Sequence, residues 1–423
     1  MEAKMNRCFK QFAGARLPVL SGCLFACCAI VWAAAEADKS DPATGYCTLE
    51  TRIIAKQQSA EQSASQYLES LEDPPSKIKD LPMGAGRDIR YFSVRIGSED
   101  RFIMVDARTD LKAPYVLFAD TNGDLRFSDE KAHLAKAIPE GWFGSDRFRF
   151  GPVTLTRQED SQKIEVSFHV STTEGDNLSI YPFQYQRGEL SLAGNTYTVS
   201  IIDGNLDGQY DISPFTNQLR PAGLDSIGFI GTAGAPDTQR YSGLLPLTKT
   251  VRLGDNYFDI QLDPTGKDIK LAPATLDYGT FAVNGTDVRL RLWSNIAGQT
   301  LFGSESWKLP AGQYRILSLE TFQRDNKGVW NLTATGYPSS MSTFTIQPDK
   351  TTSLQLGGEI RIRTSATRSK TSGDYLISYH YIGQGGELYG PSLYRNGKRQ
   401  AAPSIRILDE KGKVLATDRL KYG

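Results

Sequence analysis

Two short stretches of this chain set oxygen-bearing side chains at alternate positions: Asp120-Thr-Asn122-Gly-Asp124 and Asp203-Gly-Asn205-Leu-Asp207-Gly208-Gln-Tyr-Asp211. Carboxylate and amide oxygens spaced in this way around a tight turn can converge on one point, which is what a hard cation such as Ca²⁺ requires. In the second stretch the spacing predicts ligands from Asp203, Asn205, Asp207, the backbone carbonyl of Gln209, and Asp211. In the first it predicts Asp120, Asn122, Asp124, the carbonyl of Arg126, Ser128 and Glu130. The plainer alternative is that Asp and Asn make Asx-turns at exposed hairpin tips.

The second stretch resembles the calcium loop shared by EF-hands and dockerins. Asp203, Asn205 and Asp207 fill its first, third and fifth places, Gly208 the sharp turn, and Asp211 the ninth. Pro214 stands where a bidentate acid is expected, so one strong ligand is missing. In the first stretch the glycine is displaced to Gly123, Phe127 is the apolar eighth residue, Lys131 occupies the twelfth place, and Glu130 comes one residue early. Without the last carboxylate, affinity is expected near the weak extracellular end, roughly 10⁻⁴ to 10⁻³ M. Both stretches follow strand-like runs, so they share the ligand rhythm of EF-hands without the flanking helices.

Other chemistry is sparse. The chain contains no H-E-x-x-H, no G-x-S-x-G, no phosphate loop and no dinucleotide fingerprint. His133, His169 and His380 are its three histidines, and each reads as structural. Trp142, Trp293, Trp307 and Trp330 could form a sugar-stacking platform, although burial in a core is the commoner fate of such rings.

The elements that must position the two loops read as antiparallel β structure. Tyr115–Ala119 leads into the first loop and Tyr197–Ile202 into the second. From Lys77 onward, short alternating runs such as 89–94, 101–105 and 163–168 are separated by Gly, Asn and Asp, the texture of hairpins. Leu192-x-x-Asn195-x-Tyr197-x-Val199 and Leu253-x-x-Asn256-x-Phe258-x-Ile260 share a spacing, which predicts one hairpin plan used more than once. A related unit, 94–110, precedes the first loop. Two helices are expected: one over Thr48–Leu71, rich in Glu, Gln and Ala and stopped by Pro74-Pro75, and a short one over Asp129–Ile138.

The ends and the composition bound the setting. Lys4, Arg7, Lys10 and Arg16 precede an apolar run, Leu17–Ala35, with small residues at Ala33, Ala35 and Ala37. This predicts a signal peptide over residues 1–37, with cleavage after Ala37 in preference to Ala35. Leu20-Ser-Gly-Cys23 matches a lipoprotein box less well, because most of the apolar run follows that cysteine. A permanent anchor is the remaining alternative. Four of five cysteines would leave with the segment, and Cys47 alone remains, so no internal disulfide is expected. Bound Ca²⁺ is the natural substitute. The segment holds four basic and two acidic residues of the chain's 48 and 48, so the remainder carries −2. That balance argues against nucleic acid or an anionic membrane as partner.

After Pro273 a second β unit is expected to run to about residue 360, with a C-terminal β module over 361–423; helical residues 38–76 and a loop-bearing β domain over 77–272 precede them. Leu309-Pro-Ala-Gly-Gln-Tyr-Arg-Ile316 resembles the "LPAG-x-Y" edge of small secreted transthyretin-like and immunoglobulin-like sandwich domains. In layout, acidic loops first and sandwich modules last, the chain resembles uncharacterised exported bacterial multi-domain β proteins. The resemblance implies a mainly β fold: an antiparallel domain with acidic hairpin loops, one or two sandwich modules and one N-terminal helix. The expected function is an exported, non-enzymatic, calcium-binding structural or adhesion protein in the periplasm, at the cell surface or outside the cell. Its partners would be calcium and an envelope polysaccharide or another surface protein. The alternatives are a carbohydrate-binding or polysaccharide-active protein with structural calcium, and a hydrolase with a dispersed site.

Overall fold

Apolar side chains at every second position, broken by glycine turns, turn most of the described residues into strands. The computed structural model describes residues 44–54, 66–82, 85, 88–97, 99–107, 113–138, 148–159, 162–213, 215, 223–231, 244–285, 287–304, 306–368 and 375–420. The expected signal segment lies outside the described residues, as does Trp142. No described helix is long and apolar enough to cross a membrane.

The first half builds three sheets. Strands β1 (Gly45–Thr48), β2 (Glu50–Ile53) and β3 (Gln66–Glu69) are followed by the hairpin β4 (Ile89–Ile96) and β5 (Glu99–Asp106), then β6 (Val116–Ala119). Short strands β7 (His133–Leu134), β8 (Lys136–Ala137) and β9 (Phe148–Arg149) lead to β10 (Val153–Glu159), β11 (Gln162–Thr172) and β12 (Asn177–Pro182). Then come β13 (Gln184–Leu192), β14 (Asn195–Ile202), β15 (Ser226–Gly231) and β16 (Leu245–Pro246). Strands β4 to β7 form one sheet in sequence order; β3-β12-β11-β9-β8, with β10 on β11, forms a second; β16-β15-β14-β13-β2 forms a third. The first two face each other across a shared core. Phe92, Val94, Ile103 and Leu117 from one meet Val153, Phe168, Val170 and Ile180 from the other. Each such fully buried side chain contributes roughly 1.5–3 kcal/mol.

The second half contributes β17 (Thr250–Leu253), β18 (Asn256–Leu262), β19 (Asp268–Pro273), β20 (Tyr278–Gly285), β21 (Asp287–Ser294) and β22 (Ala297–Gly303). Next are β23 (Ser306–Pro310), β24 (Gly312–Asp325), β25 (Gly328–Gly336), the four-residue helix α1 (Ser339–Ser342), β26 (Thr343–Ile346) and β27 (Thr351–Leu356). The chain closes with β28 (Arg361–Arg368), β29 (Tyr375–Ile382), β30 (Leu388–Tyr389), β31 (Tyr394–Arg395), β32 (Lys398–Arg399), β33 (Ser404–Leu408) and β34 (Val414–Arg419). One long sheet runs β1-β19-β18-β17-β22-β21-β24-β25-β30-β29-β28. The sheet β23-β20-β27 lies against it, burying Phe281, Val283, Trp307 and Leu309 with Leu290, Leu292, Leu319 and Leu332. This is sandwich-like packing. In the Leu309–Ile316 segment the buried Tyr314 hydroxyl donates to the carbonyl of Pro310 at 2.9 Å, fastening the β23–β24 corner.

The mainly antiparallel β expectation is met, and the repeated hairpins β4–β5, β13–β14 and β17–β18 are all present. Neither expected helix is found among the described residues. The ends of Thr48–Leu71 are strands: β2 pairs with β13 (Arg187 opposite Glu50) and β3 pairs with β12 (Ile180 opposite Gln66). Residues 55–65 between them lie outside the described residues. Long-range ladder bonds override local helix propensity here. Over 129–138 the chain forms β7 and β8 instead of a short helix, because Leu117 and Val116 of β6 supply partners for His133 and Leu134. His133 is therefore a strand residue. Cys47 is buried in the core shared by β13, β14 and β17 to β19, where Gly188 leaves room for its sulfur.

Candidate metal centre

Each acidic loop is launched by a buried strand, and the two loops have the same internal wiring. Strand β6 delivers Asp120 and β14 delivers Asp203, each with its carboxyl group under the turn. The first residue accepts the N–H of the sixth: Leu125 to Asp120 Oδ1 at 3.3 Å, and Gly208 to Asp203 Oδ2 at 2.8 Å. The third accepts that of the fifth: Asp124 to Asn122 Oδ1 and Asp207 to Asn205 Oδ1, both at 2.9 Å. The fifth accepts that of the seventh: Arg126 to Asp124 Oδ1 at 2.9 Å, and Gln209 to Asp207 Oδ1 at 2.8 Å. Both loops turn left-handed at the fourth and sixth positions, with φ of 79° and 66° at Gly123 and Leu125, and 60° and 77° at Leu206 and Gly208. The alternating residues thus wind each loop around its own side-chain oxygens. Asx-turns form at both loops, but the leading aspartates are buried where exposed tips were expected, and the turns use the same oxygens as the ligand reading.

The loops differ in what surrounds them. In the first, the Arg101 guanidinium packs against Gly123, where a Cβ would collide with it, and draws the Asp120 carboxyl downward. Burial outweighs this and raises Asp120, against N–H bonds from Leu125 and Gly123. Asp120 Oδ2 is buried without a hydrogen-bond partner. Glu130 is bonded to the loop's second residue: its two oxygens accept the N–H and hydroxyl of Thr121 at 2.6 and 2.7 Å. Ser128, Asn122 and Arg126 are exposed.

In the second loop the neighbours are carboxylates. Asp225, just before β15, is 1% exposed and accepts the N–H of Gly204 on Oδ1 (3.0 Å) and of Asp211 on Oδ2 (2.8 Å), tying the two ends of the loop together. Burial, opposed by those N–H bonds and helped by Asp207 and Asp211, pushes Asp225 up to about 7. Burial and then Asp225 hold Asp203 well above the usual carboxylate range. Asn205 Nδ2 donates to Asp207 Oδ2 at 3.0 Å. Asp211 is exposed, and burial with Asp207 raises it too. Tyr210 lays its ring over Gly266 in the next hairpin turn, and its N–H donates to the carbonyl of Pro264 at 2.9 Å. Asp225 is the residue that reading the sequence missed. It lies beyond the loop, and its one local signal is a carboxylate at the mouth of an apolar strand.

The donor set at each loop is wholly oxygen, carboxylate and amide, which fits a hard cation and not a soft one. Among the described residues, no three His, Cys, Asp or Glu side chains gather around one point. The side chains of Asp207 and Asp211 would have to swing inward to complete a shell. Among the other candidates, Trp293 and Trp307 are core residues, and Trp330 stacks under Arg395 with its Nε1 bonded to Asp325. His169 is buried edge-on to Phe183, and burial lowers it to about 4.

No family model matches this chain, and no curated protein does. A crystal structure of a leucine-rich repeat protein from Bacteroides thetaiotaomicron VPI-5482 is similar at 10% identity, covering 48% of this chain and 24% of that one, with a TM-score of 0.15. So slight a likeness bears on neither fold nor function.

Proposed function

We propose that this protein is an exported calcium-binding β protein of the cell envelope, structural or adhesive and not catalytic, with the Asp203 loop as its principal ion site. The observation that carries the reading is the pair Asp203 and Asp225. Two carboxyl groups are buried at one loop, and the acidic neighbours Asp207 and Asp211 add negative charge nearby. Burying such groups in ionised form is costly without a compensating charge, and a divalent ion supplies one. The Asp120 loop is the secondary site, since Arg101 already provides a positive charge there. Export rests on the basic and then apolar residues of 1–37, and the envelope partner would be a polysaccharide or another surface protein.

Calorimetry and thermal melts near neutral pH test the ion. Ca²⁺ at about ten times its Kd should stabilise the fold by roughly 1.4 kcal/mol. Mg²⁺, which resists dehydration, should do less. A melt indifferent to both EDTA and Ca²⁺, with no heat of binding, would remove the proposal.

A further inference from the structure

The charge of −2 on residues 38–423 conceals two opposite regions. Residues 38–360 hold 32 Lys and Arg against 41 Asp and Glu, a balance of −9. Residues 361–423 hold 12 against 5, a balance of +7, and one of those five acids, Glu387, is wholly buried. Charge segregated in this way points to a partner of opposite sign. Strand register gathers part of the positive charge on one face. Strand β28 ends the long sheet and pairs with β29, Arg363 opposite His380 and Ser365 opposite Ser378. Side chains alternate along a strand, and directly paired residues share a face. Arg361, Arg363 and Ser365 therefore stand beside His380 and Ser378, and all five are exposed. The opposite face carries Tyr379 and Tyr381 into the core, which turns the arginine face to solvent. Arg361 and Arg363 lie about 7 Å apart along the strand. Glu359 approaches Arg361 at 3.6 Å, but both side chains are nearly four-fifths exposed (78% and 79%), so water weakens the pair.

We propose that this β28–β29 face binds an acidic polysaccharide, a polymer of uronate-type sugars. Guanidinium groups meet carboxylates through paired hydrogen bonds. The hydroxyls of Ser365 and Ser378, 2.7 Å apart, come next along the strands, and a hydroxyl both donates and accepts. A uronate polymer repeats the same two functions, carboxylate and hydroxyl, along its length. Single-stranded nucleic acid needs aromatic rings on which its bases stack, but the three tyrosines of β29 lie on the other face. An anionic membrane would meet one exposed apolar side chain here, Leu376, which is too little to insert. Charge on an edge strand also deters unwanted pairing, but lysine serves that purpose and a fork of donors is not needed for it. The proposal rests on the envelope reading in placing such a polymer within reach.

Calorimetry of the full chain with polygalacturonate, at low salt and in EDTA, tests it. Polygalacturonate should bind, its fully methyl-esterified form should not, and added salt should weaken the complex. Arg361→Gln combined with Arg363→Gln should weaken binding by about tenfold or more. Lys411→Gln combined with Lys413→Gln removes equal charge at the β33–β34 turn and should weaken it by less than about threefold. All four side chains are exposed, so both variants should fold. Absence of heat with polygalacturonate would overturn the proposal, as would equal losses in the two variants. Polyglutamate, duplex DNA or phosphatidylglycerol vesicles binding as tightly as the uronate polymer would overturn it too. EDTA removes Ca²⁺ bridges between carboxylates, so failure here leaves the ion site standing, and failure of the ion site leaves this result unchanged.

Discussion

Asp225 closes the loop that Asp203 opens: Asp203 accepts the N–H of Gly208 within it, while Asp225 accepts those of Gly204 and Asp211 at its two ends. The loop is therefore held by two buried acids whose ionisation the fold opposes. That arrangement makes its stability depend on pH and on cations.

Asp225 is held at about 7 in the fold, against an ordinary value of 3.8. A raised carboxyl pKa gives stability that is complete below 3.8 and is lost as pH rises through 7, because the unfolded chain releases its proton first. In EDTA, the stability of the wild type relative to Asp225→Asn should fall by on the order of a few kcal/mol between those limits and then level. Chemical denaturation at stepped pH measures this. A constant difference would show that Asp225 is already ionised in the fold. Saturating Ca²⁺ should flatten the slope.

Gly204 is a steric requirement of the second loop. A Cβ there would run into the carbonyl oxygen of Leu224, which is backbone and cannot turn aside. Gly204→Ala should cost about 2 kcal/mol or more and weaken Ca²⁺ binding, since it displaces the N–H that Asp225 accepts. Urea titration with and without Ca²⁺ separates the two effects.

Arg101 should act in opposite directions on folding and on ion binding. It pairs with Glu99 at 2.6 Å, donates to the Thr156 carbonyl at 3.2 Å, and covers Gly123 beside Asp120. Arg101→Gln should destabilise the metal-free protein by roughly 1 kcal/mol and tighten Ca²⁺ at the Asp120 loop several-fold. Calorimetry in an Asp203→Asn background isolates that loop. Unchanged or weaker affinity would mean that the guanidinium does not compete with an ion.

Glu387 lies far from both loops and is wholly buried. Its Oε1 accepts the N–H of Gly357 and the Tyr389 hydroxyl, and glycines 383 and 385 leave space for the carboxyl group. Glu387→Ala should cost about 2–4 kcal/mol by stranding those donors. Glu387→Gln, which keeps one acceptor, should cost less. Equal losses in thermal melts would point to packing rather than hydrogen bonding.

What could be read in advance followed from local physics. Alternation along 195–202 and the turn at Ala193-Gly194, both left-handed, mark β13–β14 without any tertiary information. The loop rhythm was equally local, since each bond from first to sixth, third to fifth and fifth to seventh residue closes within the segment. The two ends of Thr48–Leu71 are strands that its apolar stripe did not foretell, because the stripe carries no record of partners as distant as Arg187 and Ile180. Asp225 was hidden for the same reason, as its role depends on where β15 starts relative to the end of β14. Glu130 looked like a ligand by position, but a neighbouring threonine takes both its oxygens.

The single thiol within residues 44–420 is shut inside a core, below the glycine on β13 that makes room for it. Burial also pushes its ionisation upward, which leaves less of the reactive thiolate. Alkylating agents and oxidants would therefore reach it only when the surrounding strands come apart. The native protein should resist cross-linking to its neighbours in an oxidising medium, and the rate at which this one sulfur is modified becomes an intrinsic clock for opening of that core.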